Sequence, residues 1–314
     1  MARSMAPGVA ERGRRLGELR SVPAGSFVMG SDDHYPEERP ARVVAVERFG
    51  IEAHPVTNAE FRRFVAATGH VSVAERSPDP EDFPDATPEE LRPGSLVFVP
   101  PPGPVPLDDW RRWWRFVPGA DWRHPGGPGT TLHGLDRHPV VHVGWEDALA
   151  YAHWAGRDLP TETEWEYAAR GGGGPTAYAW GEERAPRGRP MANTWEGRFP
   201  WENTSPPARR RTTPVGAFPP NGFGLLDMIG NVWEWTGSPW TEDHAVVPTT
   251  RSTAGSCCGG LAHARVGEDD RRVIKGGSHL CAPDYCARYR PPARQGHAVR
   301  STTSHVGFRC VVRP

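Results

Sequence analysis

Two cysteines near the C-terminal end of the chain are the strongest candidates for chemistry. They lie in the run Gly276–Arg290, which reads GGSHLCAPDYCARYR. Pro283 stands between Cys281 and Cys286 and prevents a regular helix there, so a loop can bring the two sulfurs together. The pair then has three uses: a disulfide, half of a zinc site, or a two-thiolate site for Cu(I), the soft ion that thiolates favour. Two unpaired cysteines that only pack against their neighbours explain the spacing equally well.

The cysteine pair lies in a basic part of the sequence. Residues 264–314 contain ten Lys and Arg but four Asp and Glu, so they carry a net charge of +6, against −7 for the rest of the chain. Arg288, Arg290 and Arg294 would favour the thiolate form of both cysteines and lower their pKa. The excess charge predicts either a solvated basic face or a groove that attracts an acidic or extended partner.

A second candidate site is the turn DMIGNVWEW over residues 227–235. Asp227 and Glu234 flank its glycine, and carboxylates combined with backbone carbonyls on a tight turn suit a hard cation such as Ca²⁺. A surface turn with two solvated acids is the simpler interpretation of the same residues.

A pair of histidines, His138 and His142, is a weaker candidate for a metal site. Pro139 and the valines that follow it predict a strand, in which residues four apart lie about 13 Å from each other. One metal ion cannot bridge that distance, so both histidines are predicted to be structural.

The composition limits the class of protein. The 314 residues carry a formal net charge of −1, which removes the usual argument for nucleic acid binding. No run reaches the roughly 18 apolar residues of a membrane span, and the N-terminus lacks the apolar block of about 7–15 residues that secretion requires. Five cysteines are too few, and odd in number, for a secreted disulfide framework, so a cytoplasmic protein is expected.

The patterning predicts a single loop-rich α+β domain over residues 21–314, after a flexible arm over residues 1–20. Strands are predicted at Val22–Gly30 and Arg42–Val46. Helices are predicted at Trp145–Ala155 and after the capping boxes Thr57-x-x-Glu60 and Thr161-x-x-Glu164. The long stretches 78–130 and 174–224 are expected to be ordered because they bury indole rings. Among their tryptophans are Trp110, Trp113, Trp114, Trp122, Trp195 and Trp201.

Seven motifs follow one another in a fixed order along the chain: Val22–Gly30, Pro55–Asn58, Leu159–Gly172, Asn221–Leu225, Gly230–Trp235, Lys275–Ser278 and Gly307–Cys310. The series resembles one family, the formylglycine-generating enzymes or sulfatase-modifying factors, in its bacterial, actinobacterial-like form. The resemblance covers about residues 21–312, and it implies a C-type-lectin-like fold. Separately, Lys275 is the only lysine in the chain, which indicates a GC-rich genome.

The resemblance implies a copper-dependent oxidase. Such an enzyme uses O₂ and a thiol reductant to convert the cysteine of a Cys-x-Pro-x-Arg motif, in an unfolded sulfatase polypeptide, to Cα-formylglycine. By similarity, Cys281 and Cys286 would hold Cu(I), and Ser278 would lie beside the oxygen site. The groove for the peptide would be lined by Trp233, Tyr285, Arg294 and His305. No nucleic acid or membrane partner is implied, and a monomer is expected.

The same resemblance implies structural calcium. Asp227, Gly230, Val232 and Glu234 match one calcium site, which reverses the simpler interpretation of that turn. Asn193 and Thr194 match the first half of a second site, but proline stands at position 207 where an acidic ligand is expected.

Three departures from the family pattern concern cysteines and histidines. Cys310 is expected to be unpaired, because Ala152 and Ala169 stand where secreted members have disulfide partners. His305 and His279 replace an asparagine and an aromatic residue near the groove. The adjacent Cys257 and Cys258 are predicted to be exposed loop thiols, since neighbouring cysteines fit disulfide geometry poorly.

Other functions on the same fold define the alternatives. A non-catalytic binding module would explain the loops, the tryptophans and the calcium motif, but not the combination of Ser278, Cys281, Tyr285 and Cys286. A sulfoxide synthase of the ergothioneine type would need a further N-terminal helical domain with a three-histidine iron site, and about 20 residues precede the domain here. A dithiol redox protein is the third alternative.

Overall fold

The computed structural model describes residues 16–81, 86–89, 91–244 and 270–314. Within them it contains three α-helices and thirteen short strands joined by long loops, so the predicted loop-rich α+β class is confirmed. No helix in these ranges is long and apolar enough to cross a membrane. Cys257 and Cys258 lie outside the described residues, and so does most of the predicted N-terminal arm.

The three helices begin and end where their capping signals predict. Helix α1 spans Asn58–Thr68 and helix α3 spans Glu162–Arg170, each with a complete capping box at its N-terminus. Gly69 and Gly171 end these two helices in the left-handed conformation that glycine adopts readily. Helix α2 spans Trp145–Trp154, as its apolar spacing predicts.

The strands form two small sheets and three hairpins. The three-stranded sheet has the order β1-β4-β13 and the four-stranded sheet has the order β11-β10-β9-β12, with β12 parallel to β9. The hairpins pair β2 with β3, β5 with β6, and β7 with β8. The strands are β1 Leu19–Val22, β2 Gly25–Met29, β3 Arg42–Val46, β4 Phe49–Glu52, β5 Gly94–Phe98, β6 Trp114–Pro118, β7 Gly197–Arg198, β8 Glu202–Asn203, β9 Trp233–Pro239, β10 Arg271–Lys275, β11 Arg294–Ala298, β12 Val306–Phe308 and β13 Val311–Val312.

Three local expectations differ from the structure. The run Val22–Gly30 is not one strand: β1 ends at Val22 and β2 begins at Gly25, since Pro23 interrupts the ladder. The first strand starts at Leu19, two residues inside the predicted flexible arm. Residues 138–142 form no regular strand, because Pro139 makes a single bridge to Thr57 and the chain then turns.

The four-stranded sheet positions the cysteine segment. Strand β10 ends at Lys275 and its antiparallel neighbour β11 begins at Arg294, so residues 276–293 form the loop that joins them. Lys275 lies opposite Arg294 on one side and opposite Glu234 of β9 on the other. The loop, which we call the cysteine loop, therefore starts and ends on paired, buried strands.

Two apolar clusters hold the described part of the chain together. The main cluster contains Phe61, Tyr151, Trp165 and Trp235 and also includes Cys281. The smaller cluster lies under the cysteine loop and comprises Trp113, Trp195, Phe199, Leu280 and Ala282. Burial of Trp113, Trp122 and Trp195 confirms that indoles order the long loops, but Trp110 is half exposed and does not contribute in this way.

Candidate active site

The cysteine loop brings its two thiols together. The Sγ atoms of Cys281 and Cys286 are 3.3 Å apart, much longer than a disulfide bond of about 2.05 Å. Both are free thiols, as is Cys310, which is fully buried elsewhere in the core. Cys281 is buried and Cys286 is partly exposed, so the pair is accessible from one side. The expectation that Cys310 is unpaired is confirmed.

The two thiols have opposite electrostatics. The hydrogen bond from Cys281 lowers the pKa of Cys286 to about 7, and the nearby charge of Arg288 acts in the same direction. Burial raises the pKa of Cys281, and its contact with Cys286 adds to that effect. One proton shared between the sulfurs therefore leaves the negative charge on Cys286, the more exposed of the two.

Backbone geometry at the start of the loop requires glycine. Gly276 and Gly277 adopt positive φ values of 95° and 70°. A Cβ at Gly276 would lie 2.8 Å from the carbonyl oxygen of Met228, and one at Gly277 would lie 2.9 Å from that of Arg288. The chain thus turns tightly out of β10 and folds back against its own later residues, which sets the direction of the cysteines.

Ser278 belongs to the same tight turn as Cys281. Its amide donates to the Cys281 sulfur at 3.4 Å, and its hydroxyl oxygen accepts from the amide of Leu280 at 3.2 Å. The amide of Cys281 in turn donates to the Ser278 carbonyl oxygen at 3.0 Å. The structure therefore places Ser278 in contact with the Cys281 sulfur, and its place beside an oxygen site stays a prediction.

The outer side of the loop is aromatic. Tyr285 is 39% exposed and its ring stacks on Phe199, with centroids 4.6 Å apart. Trp113 meets the edge of Tyr285 at 5.4 Å. His305 is partly exposed and lies 4.8 Å from the ring of Trp114. Of the residues predicted for the groove, Tyr285 and His305 are accessible at the surface, whereas Trp233 is 2% exposed in the main core.

The structure places Arg294, which the resemblance assigns to the peptide groove, in a buried ion pair. Arg294 is 2% exposed, and its guanidinium donates to both carboxylate oxygens of Glu162 at 2.7 and 3.1 Å. Trp240 stacks on it at 4.3 Å. Arg290 is similarly bound to the buried Glu38. Of the three arginines predicted to act on the thiols, the structure brings Arg288 to a cysteine sulfur, at 4.0 Å from Cys286.

Four of the ten basic residues in 264–314 are buried and paired with carboxylates. Lys275 is fully buried and donates to Glu166 at 3.0 Å. Arg309 is fully buried and donates to both oxygens of Glu234. Together with the pairs of Arg290 and Arg294, these contacts account for four of the ten basic residues, whereas Arg271, Arg300 and Arg313 are exposed.

The predicted calcium turn combines two buried carboxylates. Asp227 is 7% exposed, and one of its oxygens accepts from the amide of Gly216 at 2.7 Å. Burial raises the pKa of Asp227, and the neighbouring charge of Glu234 adds to that effect. Glu234 accepts from Arg309 and from the Trp165 indole, so much of its capacity is already used. The remaining oxygens and the local negative charge fit a cation, with Asp227 as the more available ligand.

The second predicted calcium site has one good ligand and a basic surrounding. Asn193 is 1% exposed and its side-chain oxygen has no hydrogen-bond partner in the described part of the chain. Its amide nitrogen donates to the carbonyl of Arg211 at 2.7 Å. Near position 207, where an acidic ligand is expected, the chain carries Arg209, which forms an ion pair with Glu196 at 3.4 Å. The unpaired side-chain oxygen of Asn193 fits a cation, but the loop around residue 207 does not supply the negative charge that would complete the site.

Sequence reasoning missed the residues that contact the cysteine loop from the N-terminal half. Tyr35, Glu37 and Glu38 bind Ala287, Arg288 and Arg290 across more than 250 positions of sequence. No local pattern connects these segments. The one sequence signal for such pairing is the excess of basic residues in 264–314 and of acidic residues in the rest of the chain.

The loop-rich α+β fold, with its pair of thiols in a loop that follows a Gly-Gly-Ser turn, agrees with the family that the motifs indicate. The model of the sulfatase-modifying factor enzyme 1-like domain matches residues 6–314, so the chain belongs to this family. The chain is 54% identical to the formylglycine-generating enzyme of Mycobacterium tuberculosis, over 95% of this chain and 99% of the relative. It is 41% identical to the formylglycine-generating enzyme of Mus musculus, over 97% of this chain and 78% of the relative. The resemblance inferred from the motifs is confirmed.

A solved structure gives the same fold. The chain is similar to PvdO from Pseudomonas aeruginosa, with a TM-score of 0.59 and 25% identity, over 96% of both chains. The comparison supports the fold class, and the curated relatives support an enzyme of the formylglycine-generating type.

Proposed function

We propose that this protein oxidises the cysteine of a Cys-x-Pro-x-Arg motif in unfolded sulfatases to Cα-formylglycine, with Cu(I), O₂ and a thiol reductant. The observation that carries the proposal is the open pair of free thiols, 3.3 Å apart in the cysteine loop. The names of the relatives from M. tuberculosis and M. musculus support the reaction. The use of Cu(I) as the metal and of O₂ as the oxidant is part of this proposal.

The thiol pair fits a soft monovalent metal. Sulfur ligands select Cu(I) over hard cations, and one ion can contact both sulfurs at their observed separation. No group of three or more His, Cys, Asp or Glu side chains that could hold a metal occurs in the described residues, so a zinc site with four protein ligands has no support there. Cys281 and Cys286 would hold the ion, and bound Cu(I) would supply the electrons that activate O₂.

The overall reaction sets what the chain must do. The substrate Cβ is oxidised to a thioaldehyde, whose hydrolysis gives the aldehyde and releases hydrogen sulfide. O₂ is reduced to water by electrons from the substrate and from the thiol reductant. The chain must therefore hold the substrate sulfur beside the cysteine pair and fix the peptide on either side.

Specific residues meet these needs. Cys286, the more exposed sulfur, faces the side from which a substrate thiol can approach. Ser278 stays in the turn that fixes Cys281, with its hydroxyl already held by Leu280. The stacked pair Tyr285 and Phe199 offers a flat apolar surface for the peptide next to the sulfurs. His305 supplies a polar edge close to the same surface.

Calcium is proposed as a structural ion at the turn of Asp227, Gly230, Val232 and Glu234. The buried, mutually close carboxylates of Asp227 and Glu234 support it. Asn193 and Thr194 provide at most part of a second site, because proline and arginines replace the expected acid. A cytoplasmic, monomeric enzyme remains the proposal for the cell.

The test is aldehyde formation on a defined peptide. The protein is loaded with Cu(I) and given a peptide containing Cys-x-Pro-x-Arg, O₂ and a thiol reductant. Mass spectrometry and an aldehyde-reactive probe follow the substrate cysteine. We expect formylglycine with the wild type, loss of at least about a thousandfold in rate for Cys286→Ala because a covalent metal ligand is removed, and little change for Cys310→Ala.

Cys310→Ala is the matched control because Cys310 is a buried thiol in the core and takes no part in the loop. Aldehyde formation that survives Cys286→Ala would remove the cysteine pair from the mechanism. Absence of aldehyde in the folded wild type, with every component present, would refute the proposed reaction.

A further inference from the structure

The turn between β2 and β3 contacts the chain immediately after Cys286. The hydroxyl of Tyr35 accepts a hydrogen bond from the amide of Ala287 at 3.1 Å. Glu38 is fully buried and binds Arg290 through both carboxylate oxygens, at 2.8 and 2.5 Å. The second half of the cysteine loop is therefore attached to a distant part of the chain by two independent contacts.

Arg288 lies between these two contacts and is held on three sides. Its guanidinium carbon is 3.8 Å from the centroid of the Tyr35 ring. Its Nη2 donates to Glu37 at 2.6 Å, and its Nη1 is 4.0 Å from the Cys286 sulfur. The Arg288 side chain is 22% exposed. The stacking and the ion pair together fix the guanidinium where it faces the thiol.

The hydrogen bonding of Arg288 is incomplete. Its Nε–H is buried and has no acceptor among the described residues. By contrast, Arg290 uses its Nε to donate to the carbonyl of Ala287 and its two terminal nitrogens to bind Glu38. A buried donor without an acceptor is unfavourable, so the position of Arg288 does not maximise its bonds within the fold. It places positive charge beside Cys286.

We propose that Arg288 is a positioning residue for the copper centre: its guanidinium keeps a fixed positive charge beside the Cys286 sulfur and stabilises the anionic, metal-bound thiolate pair. The inference rests on the proposed function, because it requires that the pair bind Cu(I). Two thiolates and one Cu(I) carry a net charge of −1, and a substrate thiolate adds another. Such charge in a partly buried loop needs a compensating cation.

Arginine suits this task better than lysine. It remains protonated at all relevant pH values, so the compensating charge does not vary. Its flat face stacks on Tyr35 while its edges meet Glu37 and the sulfur, which a lysine ammonium cannot do at once. The carboxylate of Glu37 offsets part of the charge, but it also prevents the guanidinium from moving away from Cys286.

The affinity of Arg288 variants for Cu(I) tests this inference directly. The dissociation constant for Cu(I) is determined anaerobically by competition with a chromogenic Cu(I) chelator, for the wild type and for Arg288→Met, Arg288→Gln and Arg288→Lys. The two neutral variants should bind Cu(I) about ten- to a hundredfold more weakly, because they lose a charge about 4 Å from the sulfur. Arg288→Lys should recover most of that loss.

A charge-removal control and a fold check accompany the series. Arg76→Met removes an arginine whose partner, Glu146, lies at an exposed ion pair outside the cysteine loop, and its Cu(I) affinity should equal that of the wild type. Thermal unfolding of each metal-free variant shows whether the fold is retained. If Arg288→Met does not fold, Arg288→Gln provides the second neutral variant.

The outcomes separate this inference from the proposed function. Wild type that binds Cu(I) while the folded neutral variants bind it equally well would overturn the role of Arg288 alone. Equal weakening in the neutral and the lysine variants would also overturn it, since only the shape of the arginine would then matter. Wild type that binds no Cu(I) would refute the copper centre itself.

Discussion

At the scale of single residues, the two thiols of the cysteine loop are chemically different. Cys286 is the more exposed sulfur and its pKa is lowered to about 7, first by the hydrogen bond from Cys281 and then by Arg288. Cys281 is buried, and burial raises its pKa. Of the three cysteines that the structure describes, Cys286 should therefore be the one that is a reactive thiolate near neutral pH in the metal-free protein.

Alkylation of the metal-free protein tests this difference. At pH 7.5, iodoacetamide should modify Cys286 at least about tenfold faster than Cys281, because reaction requires an accessible thiolate. The rate at Cys286 should fall as the pH is lowered through about 7, as its thiolate is protonated. Mass spectrometry of the digested protein measures the extent of alkylation at Cys281 and at Cys286.

Cys310 is the internal control for that experiment. It is fully buried and burial raises its pKa, so it should stay unmodified until the protein unfolds. Equal rates at Cys281 and Cys286 would show that the shared proton is not localised as the structure indicates.

At the scale of elements, helix α3 provides buried acids to the strands that carry the cysteine loop. Glu162 binds Arg294 at the start of β11, and Glu166 binds Lys275 at the end of β10. Glu166 also accepts from Arg170 and from the amide of Gly30. Burial opposes ionisation of Glu166, but Lys275 and Arg170 outweigh it and lower its pKa. The helix thus fixes both ends of the loop by charge.

Loss of Lys275 should destabilise the protein strongly. Lys275→Met leaves the buried Glu166 with one cation instead of two and the carbonyl of Pro292 without its donor. Breaking a buried pair from one side costs about 3–5 kcal/mol, and we expect about 3 kcal/mol here because Arg170 remains. Urea unfolding monitored by tryptophan fluorescence gives the free energy of unfolding.

Two companion variants make that result specific. Arg76→Met breaks an exposed pair and should cost less than about 1 kcal/mol. Adding Glu166→Gln to Lys275→Met should increase the loss, because the buried Arg170 would then also be left without its carboxylate partner. A cost below about 1 kcal/mol for Lys275→Met alone would mean that the buried charges of α3 do not stabilise the loop.

The elements that sequence predicts well are those with local signals. Thr57 and Thr161 both form the capping boxes that their spacing to Glu60 and Glu164 predicts. Strands are predicted less well, since β12 is only three residues long and pairs in parallel with β9 across more than 60 positions. Pairing over that distance depends on the rest of the fold and leaves no local pattern.

At the scale of the whole molecule, some residues of the candidate site are neighbours in sequence and others come from distant parts of the chain. The cysteines, Ser278 and the two preceding glycines are adjacent in sequence, and the structure brings them together as expected. The residues Tyr35, Glu37 and Glu38 come from the other end of the chain. Arg294 and Trp233 are assigned to the groove by resemblance; both side chains are buried, and Arg294 is paired with Glu162.

Buried histidines make the whole fold sensitive to acid. His142 is fully buried; its ring nitrogens contact the Ser95 hydroxyl at 2.7 Å and the carbonyl of Pro125 at 3.0 Å. Burial lowers the pKa of His142 to about 4, against 6.5 for an unperturbed histidine. The unfolded chain therefore binds a proton more readily than the native protein between these two values.

The free energy of unfolding should consequently fall as the pH is lowered. The stabilisation by neutral His142 is complete above about pH 6.5 and is lost between there and about pH 4, by about 3 kcal/mol for this residue at roughly 1.4 kcal/mol per pKa unit. His142→Asn removes the titrating group and suits the positive φ of 61° at this position. Urea unfolding between pH 7.5 and 4.5 should show a shallower pH dependence for this variant, although it is less stable than the wild type at pH 7.5 because it loses packing. Parallel curves for the two proteins would show that the acid sensitivity arises elsewhere, with the burial of His279 as the next explanation, since its pKa is also lowered to about 4.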